Sequence, residues 1–254
     1  MAAPTTALRW ILTCAVTIAT AAAAAQSSAG PASLREALSG QHVGQGPDPP
    51  VIGRYEMDAG GEFVFDRSNP RPLLKFEDKP EIWVLQPAPG PRGDVLYRND
   101  LGETMLRATR IGGITVFTEA RPDGSAAALD GASAPLRIAP LSPTQLFNRF
   151  YQASVRASRA AQHQVPFGTG QDAEPANAAL MADAATVTSE ALVDMAGHPA
   201  DKVTLARIVG VVVTLGQRPS AVLAKGVLTV TINPAQGIAG RPSSRRIERA
   251  AGAK

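Results

Sequence analysis

The chain has 254 residues, 44% of them hydrophobic, which is enough to bury one or two cores. Its 25 Lys+Arg against 22 Asp+Glu give a formal charge of only +3, and Arg241, Arg245, Arg246, Arg249 and Lys254 crowd into one terminal stretch. The remaining body is nearly neutral, which excludes the electrostatic footprint of a nucleic-acid binder, and the single cysteine excludes a disulfide framework.

At the N-terminus, Arg9 precedes an uncharged apolar run from Trp10 to Ala25 that ends in Ala23-Ala24-Ala25 before Gln26-Ser27-Ser28. Basic, apolar, then small is the order of a secretory signal peptide, here residues 1–25. The rival reading, a retained anchor, needs about 20 apolar residues and more than alanine to drive insertion. A lipid anchor on Cys14 is disfavoured by the bulk of Thr13 before it. Export is therefore expected, with no stable membrane span after cleavage and no cysteine left. Residues 26–50, rich in Ser, Gly, Ala, Pro and Gln and closing on Gly46-Pro47-Asp48-Pro49-Pro50, read as a flexible leader in which a short helix fits Ser33–Leu38.

From 51 to 139 the hydrophobic period is close to two. Strands are expected around Tyr55–Met57, Phe63–Phe65, Leu73–Phe76, Ile82–Leu85, Val95–Tyr97, Thr104–Thr109 and Ile114–Phe117. Turns mark Ala59-Gly60-Gly61, Asn99-Asp100-Leu101-Gly102 and Gly112-Gly113, and the proline-rich 87–93 reads as a loop. Seven short strands at this spacing predict an antiparallel sandwich or small barrel.

At Leu141 the period changes to 3.6. Ser142-Pro143-Thr144-Gln145 carries a capping box with proline at the first helical position, and Leu141 and Leu146 are placed to form its hydrophobic staple. The stripe of the following helix is Leu146, Phe147, Phe150, Tyr151, Ser154 and Val155, and Gly168-Thr169-Gly170 breaks it. A second helix runs from Pro175 to Ala196, with Leu180, Ala184, Val187, Ala191 and Met195 on one face and Gly197 as its stop. Val203–Leu215 reads as a buried helix, with a strand as the alternative. Ala221–Leu223, Lys225-Gly226 and Val227–Ile232 form a hairpin, which would extend the N-terminal sheet if the two regions share a core. Ser243 and Ser244 cap a last short helix, and the basic tail reads as a solvated end. The class is α+β: an N-terminal antiparallel β sandwich or small barrel, then helices and a C-terminal β-hairpin within 140–254.

Candidates for chemistry are few. His42, His163 and His198 are the only imidazoles, with no i,i+4 pair to start a zinc site; a helix-end position accounts for His163. No Gly-x-Ser-x-Gly elbow, Ser-x-x-Lys pair or phosphate-cradling loop occurs, so no cofactor and no metal is implied. Glu77, Asp78 and Glu81 cluster at one strand connection, and Asp94, Asp100 and Glu103 flank another. Turn chemistry explains such residues. A carboxylate pair for general acid/base work would use Glu81 with Asp100, placed roughly 5–9.5 Å apart.

Three segments carry a resemblance: Pro50-Val51-Ile52-Gly53-Arg54-Tyr55, Gly90-Pro91-Arg92-Gly93-Asp94 with Tyr97-Arg98-Asn99-Asp100, and Gly240-Arg241-Pro242-Ser243-Ser244. With them the chain resembles an uncharacterised periplasmic protein family of Caulobacter-type alphaproteobacteria, a domain of unknown function. The resemblance implies a Gram-negative periplasm and brings no catalytic residues. Two functions follow as expectations. The first is a non-catalytic exported envelope protein that binds a partner or ligand, with no nucleic acid among its partners. The alternative is a periplasmic hydrolase using paired carboxylates at the hairpin ends.

Overall fold

The first strands form where the alternation is clearest, because one face of each is apolar and must be covered. The computed structural model describes residues 51–170 and 174–253; the signal-like run, the leader with its expected helix, Cys14 and His42 lie outside them. One antiparallel sheet contains β1 (Ile52–Met57), β2 (Glu62–Asp66), β3 (Leu73–Phe76), β4 (Trp83–Val84), β5 (Gln86–Pro89), β6 (Val95–Arg98), β7 (Thr104–Ala108), β8 (Ile114–Thr118) and β9 (Arg121–Ala132). Its hydrogen-bonded order is β4-β3-β2-β1-β9-β8-β7-β6-β5.

The two edges of that order, β4 and β5, are separated in the chain by Leu85 alone. Leu74 pairs with Trp83, and the Leu85 N–H donates to the Pro72 carbonyl at 2.8 Å; the next residues, Gln86–Pro89, pair with β6. Successive Cα atoms are about 3.8 Å apart, so the edges meet and the sheet curls into a barrel, with segment 83–89 as its seam. The Phe65 and Tyr97 rings meet edge-on with centroids 4.9 Å apart. Their strands, β2 and β6, are five places apart in the order, and in a flat sheet would lie roughly 24 Å from each other. Tyr55, Phe63, Phe65, Leu74, Leu85, Leu106 and Val116 fill the interior.

Two strands go beyond the seven that alternation marks. Gln86–Pro89 is a strand, not a loop: Pro87 and Pro89 lack an N–H, which a strand tolerates where it changes partner. The segment Arg121–Ala132 has the Asp, Gly and Ala of a poor strand former; pairing with β8 on one side and β1 on the other imposes its conformation.

The chain leaves the barrel past Asp66, which is fully buried. Burial alone would raise its pKa, but the Ser68 hydroxyl and N–H and the Leu136 N–H outweigh it, leaving the carboxyl below its ordinary range. Then α1 (Pro143–Ala161) starts on the expected capping box: Ser142 Oγ accepts from the Gln145 N–H at 3.3 Å, and Gln145 Oε1 accepts from the Ser142 N–H at 2.8 Å. Ser142→Ala is expected to cost about 1 kcal/mol, read as a lowered urea midpoint; an unchanged midpoint would mean this helix end frays at no cost. The buried stripe of α1 is Leu146, Phe150, Ala153 and Ala157. Phe147 and Tyr151, placed on the stripe by periodicity, are 72% and 64% exposed, because the helix packs along one narrow seam.

The helix ends at Ala161, with Gln162 in the left-handed region, and not at the glycines: Phe167–Thr169 is strand β10. The His163 ring bridges the carbonyls of Ala161 (2.9 Å) and Ile208 (2.8 Å), tying the helix end to the chain ahead of β11. Next come α2 (Pro175–Gly197), the single turn α3 (Lys202–Leu205), β11 (Gly210–Leu215), β12 (Ser220–Ala224), β13 (Val227–Ile232) and α4 (Ser244–Ala251). The buried helix expected over 203–215 is thus corrected to a short turn and a strand, as suits β-branched Val211, Val212, Val213 and Thr214.

The hairpin forms as expected but does not extend the barrel. It belongs to a second sheet, β10-β11-β13-β12. Strands β10 and β11 are parallel and α2 is the crossover between them. Leu228, Val230 and Ile232 of β13 pack with Leu180, Val187, Leu192 and Met195 of α2 and Ile247 of α4 in a core distinct from that of the barrel. Among the described residues no helix is long and apolar enough to cross a membrane.

Candidate functional site

Antiparallel strands alternate in direction, so connections 58–61, 77–82, 99–103 and 119–120 all lie at one end of the barrel. That end carries Lys79, Glu81, Asp100, Glu103 and Glu119, and the helical layer packs on it through α2 and α4.

Both carboxylates of the sequence-predicted pair hold the N-terminus of α4. Glu81 Oε1 accepts from the Ser244 N–H and from Arg241 Nη1, each at 3.2 Å, and its Oε2 accepts from Ser244 Oγ at 2.5 Å. Asp100 accepts from Ser243 Oγ at 2.6 Å, from the Ser243 N–H at 3.2 Å and from Arg246 Nε at 2.7 Å. Ser243 is the expected N-cap, its hydroxyl accepting from the Arg246 N–H at 3.1 Å. Carboxylates beside uncapped N–H groups are favourable with the helix dipole, and here two loops of the barrel supply them. Of the other acids named from the sequence, Glu77 and Asp78 are exposed. Asp94 is buried on Arg107 Nε at 2.6 Å, and Glu103 joins Arg249 at 2.8 Å.

The basic tail is not solvated at its first residue, Arg241. Arg241 is 2% exposed, as is its partner Glu81. It also holds Asp183 of α2, and its Nη2 donates to the Ile82 carbonyl at 2.8 Å. Gly240 makes this possible, since a Cβ there would stand 1.9 Å from the Asn233 carbonyl oxygen. Burial is the main influence on Glu81 and pushes its pKa up to about 7, against Arg241 and the Ser244 hydrogen bonds and with help from Asp183. Glu248, one turn into α4, is also raised to about 7 by burial; Arg245 opposes the shift, and Asp194, Glu119 and Glu81 add to it.

Sequence reasoning missed the second clamp. Lys79 reaches Glu190 and Asp194 of α2, 2.8 Å each, and Glu190 also takes Arg156 of α1. Burial would raise Glu190, yet Lys79 and Arg156 hold it below the usual carboxylate range. A signal was available: Glu190 is the lone charge in the run from Ala184 to Val193, and an acid on such a helix is buried only when paired.

Between these clamps lies a cleft of about 1070 Å³. Met57, Phe76, Trp83 and Met105 give it apolar walls from the barrel, while Lys79, Glu190, Ser244 and Arg245 edge it from the junction with the helical layer. No three His, Cys, Asp or Glu side chains among the described residues are grouped to hold a metal ion. An apolar cleft with a polar rim is fitted to hold a small molecule.

A family whose shared region is described as a domain of unknown function (DUF4908) matches residues 33–251. The chain belongs to that family. Comparison with curated proteins and with solved structures returns no match. In this family member the matched region takes in the whole barrel, both clamps and all of α4.

Proposed function

We propose that this protein is a non-catalytic envelope protein, exported to the periplasm of a Caulobacter-type alphaproteobacterium, whose cleft at the barrel mouth binds a small amphiphilic ligand. The cleft carries the reading. Its volume of about 1070 Å³ is that of a site for a drug-sized molecule. Its walls would take the apolar body of a ligand, and the charged rim would take its polar end. Export is supported by the order of charge and hydrophobicity in residues 1–25.

The test is native mass spectrometry of the tagged chain released from the periplasm of its own host. The expected species begins at Gln26 and carries an added mass on the order of hundreds of daltons. Met105→Glu, which puts a charge on the cleft wall, is expected to lose that mass while keeping the fold. A bare mass at native abundance would overturn the ligand reading, and a retained segment 1–25 would overturn export.

A further inference from the structure

We propose that the helical layer is a proton-linked lid on the barrel mouth, closing when Glu81 and Glu248 each hold a proton and easing away when both ionise. The lid takes its purpose from the cleft as a binding site, but its motion is independent of any ligand.

The junction is built to move. The barrel and the helical layer have separate apolar cores, and the contacts between them described above are hydrogen bonds and ion pairs. Interfaces of this polar kind permit relative motion of the bodies they join. The cleft lies at the junction and is lined from both sides, by Phe76 and Trp83 on one and by Glu190, Asp194, Ser244 and Arg245 on the other.

The charges in this junction do not balance. Around Glu81, a single guanidinium, Arg241, serves both Glu81 and Asp183 of α2, and all three side chains are at most 13% exposed; α4 adds only the Ser244 hydroxyl and N–H. Around Glu248, Arg245 is 3.6 Å away and also holds Glu119 of the β8–β9 turn. Asp194 of α2 and Glu81 of the barrel act on the same carboxyl. The nearby cations do not fill the gap: Lys79 is engaged by Glu190 and Asp194. The exposed His198 ring, raised by its bond to the Asp194 carbonyl and by Glu119, also feels Asp201 and Glu248. Buried carboxylates in excess of cations bind protons near neutral pH, in keeping with the values of about 7 for both glutamates.

The sign follows from linkage. Each glutamate titrates higher in the closed form than its ordinary value of 4.5, so closing takes up protons. The contribution to closure is complete below about pH 4.5 and is lost as the pH rises through about 7.

Trp83 reports the lid. It lies in the cleft at 8% exposure, and Trp10→Phe leaves it the sole tryptophan of the chain. In that background, acrylamide quenching of Trp83 is expected to rise about twofold or more between about pH 5.5 and about pH 8. Glu248→Gln should lose much of this rise, and Glu81→Gln with Glu248→Gln should stay protected at both values. Where the double variant does not fold, the single Glu248→Gln decides. Flat quenching of the parent across this range, with circular dichroism unchanged, overturns the lid, and so does a full response in Glu248→Gln. The readout needs no ligand, so the two readings fail separately. A ligand adduct with flat quenching removes the lid alone, and pH-dependent quenching of a protein that never carries a ligand removes the ligand reading alone.

Discussion

Arg241→Met is expected to cost about 3–5 kcal/mol of stability, the usual penalty for breaking a buried ion pair from one side. The guanidinium is 2% exposed and joins Glu81 at 3.2 Å, Asp183, and the Ile82 carbonyl at 2.8 Å. Methionine fills much of the volume but leaves two buried carboxylates facing each other without a cation. Urea unfolding followed by far-UV circular dichroism measures the loss. The loss should shrink on acidification, because Glu81, raised to about 7 by burial, is already protonated below that pH and no longer needs a counter-charge. Arg249→Ala is the control: its pair with Glu103 is exposed on both sides, so its change should stay within about 0.5 kcal/mol. A midpoint for Arg241→Met equal to the parent's would mean that the network bears no share of the stability.

A loss of comparable size is expected for Leu85→Ala. Leu85 is fully buried at the point where one segment stops pairing with β3 and begins pairing with β6. Truncating a buried leucine removes apolar contact and leaves a cavity, for about 2–5 kcal/mol. The upper part of that range is expected here, since hydrogen bonds on both flanks hold the seam open and keep the walls from collapsing inward. Ile111→Ala, at a side chain 91% exposed, should change stability by less than about 0.5 kcal/mol. If the two variants unfold at the same urea concentration, the barrel is not closed around Leu85.

Elements whose signal is local were legible. The alternation of Tyr55, Phe63, Phe65, Leu74, Tyr97, Leu106 and Val116 marks strands because a half-buried strand repeats every two residues. The capping box at Ser142, the span of α2, the 220–232 hairpin and the Ser243 cap were also readable, since each is set by neighbours within four residues or one turn. Strands β5 and β9 were not. Prolines and small polar residues carry no β signal of their own, and these segments are strands only because their neighbours in the barrel supply the hydrogen bonds. The exposure of Phe147 and Tyr151 is the converse case, where periodicity offers a wide apolar face and the fold uses only part of it.

Glu81 and Asp100 could be singled out from sequence as acids at hairpin ends. No spacing rule could show that both would meet the same helix N-terminus, 163 residues beyond Glu81 and 143 beyond Asp100. The tail misled for a related reason. Five basic residues look solvated when counted in order, yet Arg241 is buried because the barrel brings Glu81, and α2 brings Asp183, to the place where Gly240 lets the chain pass.

By itself, the sequence determined the α+β class, the positions of most strands and helices, and the caps that begin α1 and α4, because these follow from backbone geometry and from side chains within one turn or one strand pair. Only the tertiary structure decided the closure of the barrel at Leu85, the separate second sheet, the burial of Arg241 and the cleft roofed by α2 and α4. Those depend on which loops share one end of a closed sheet, and a charge is buried or solvated according to partners that chain order does not reveal.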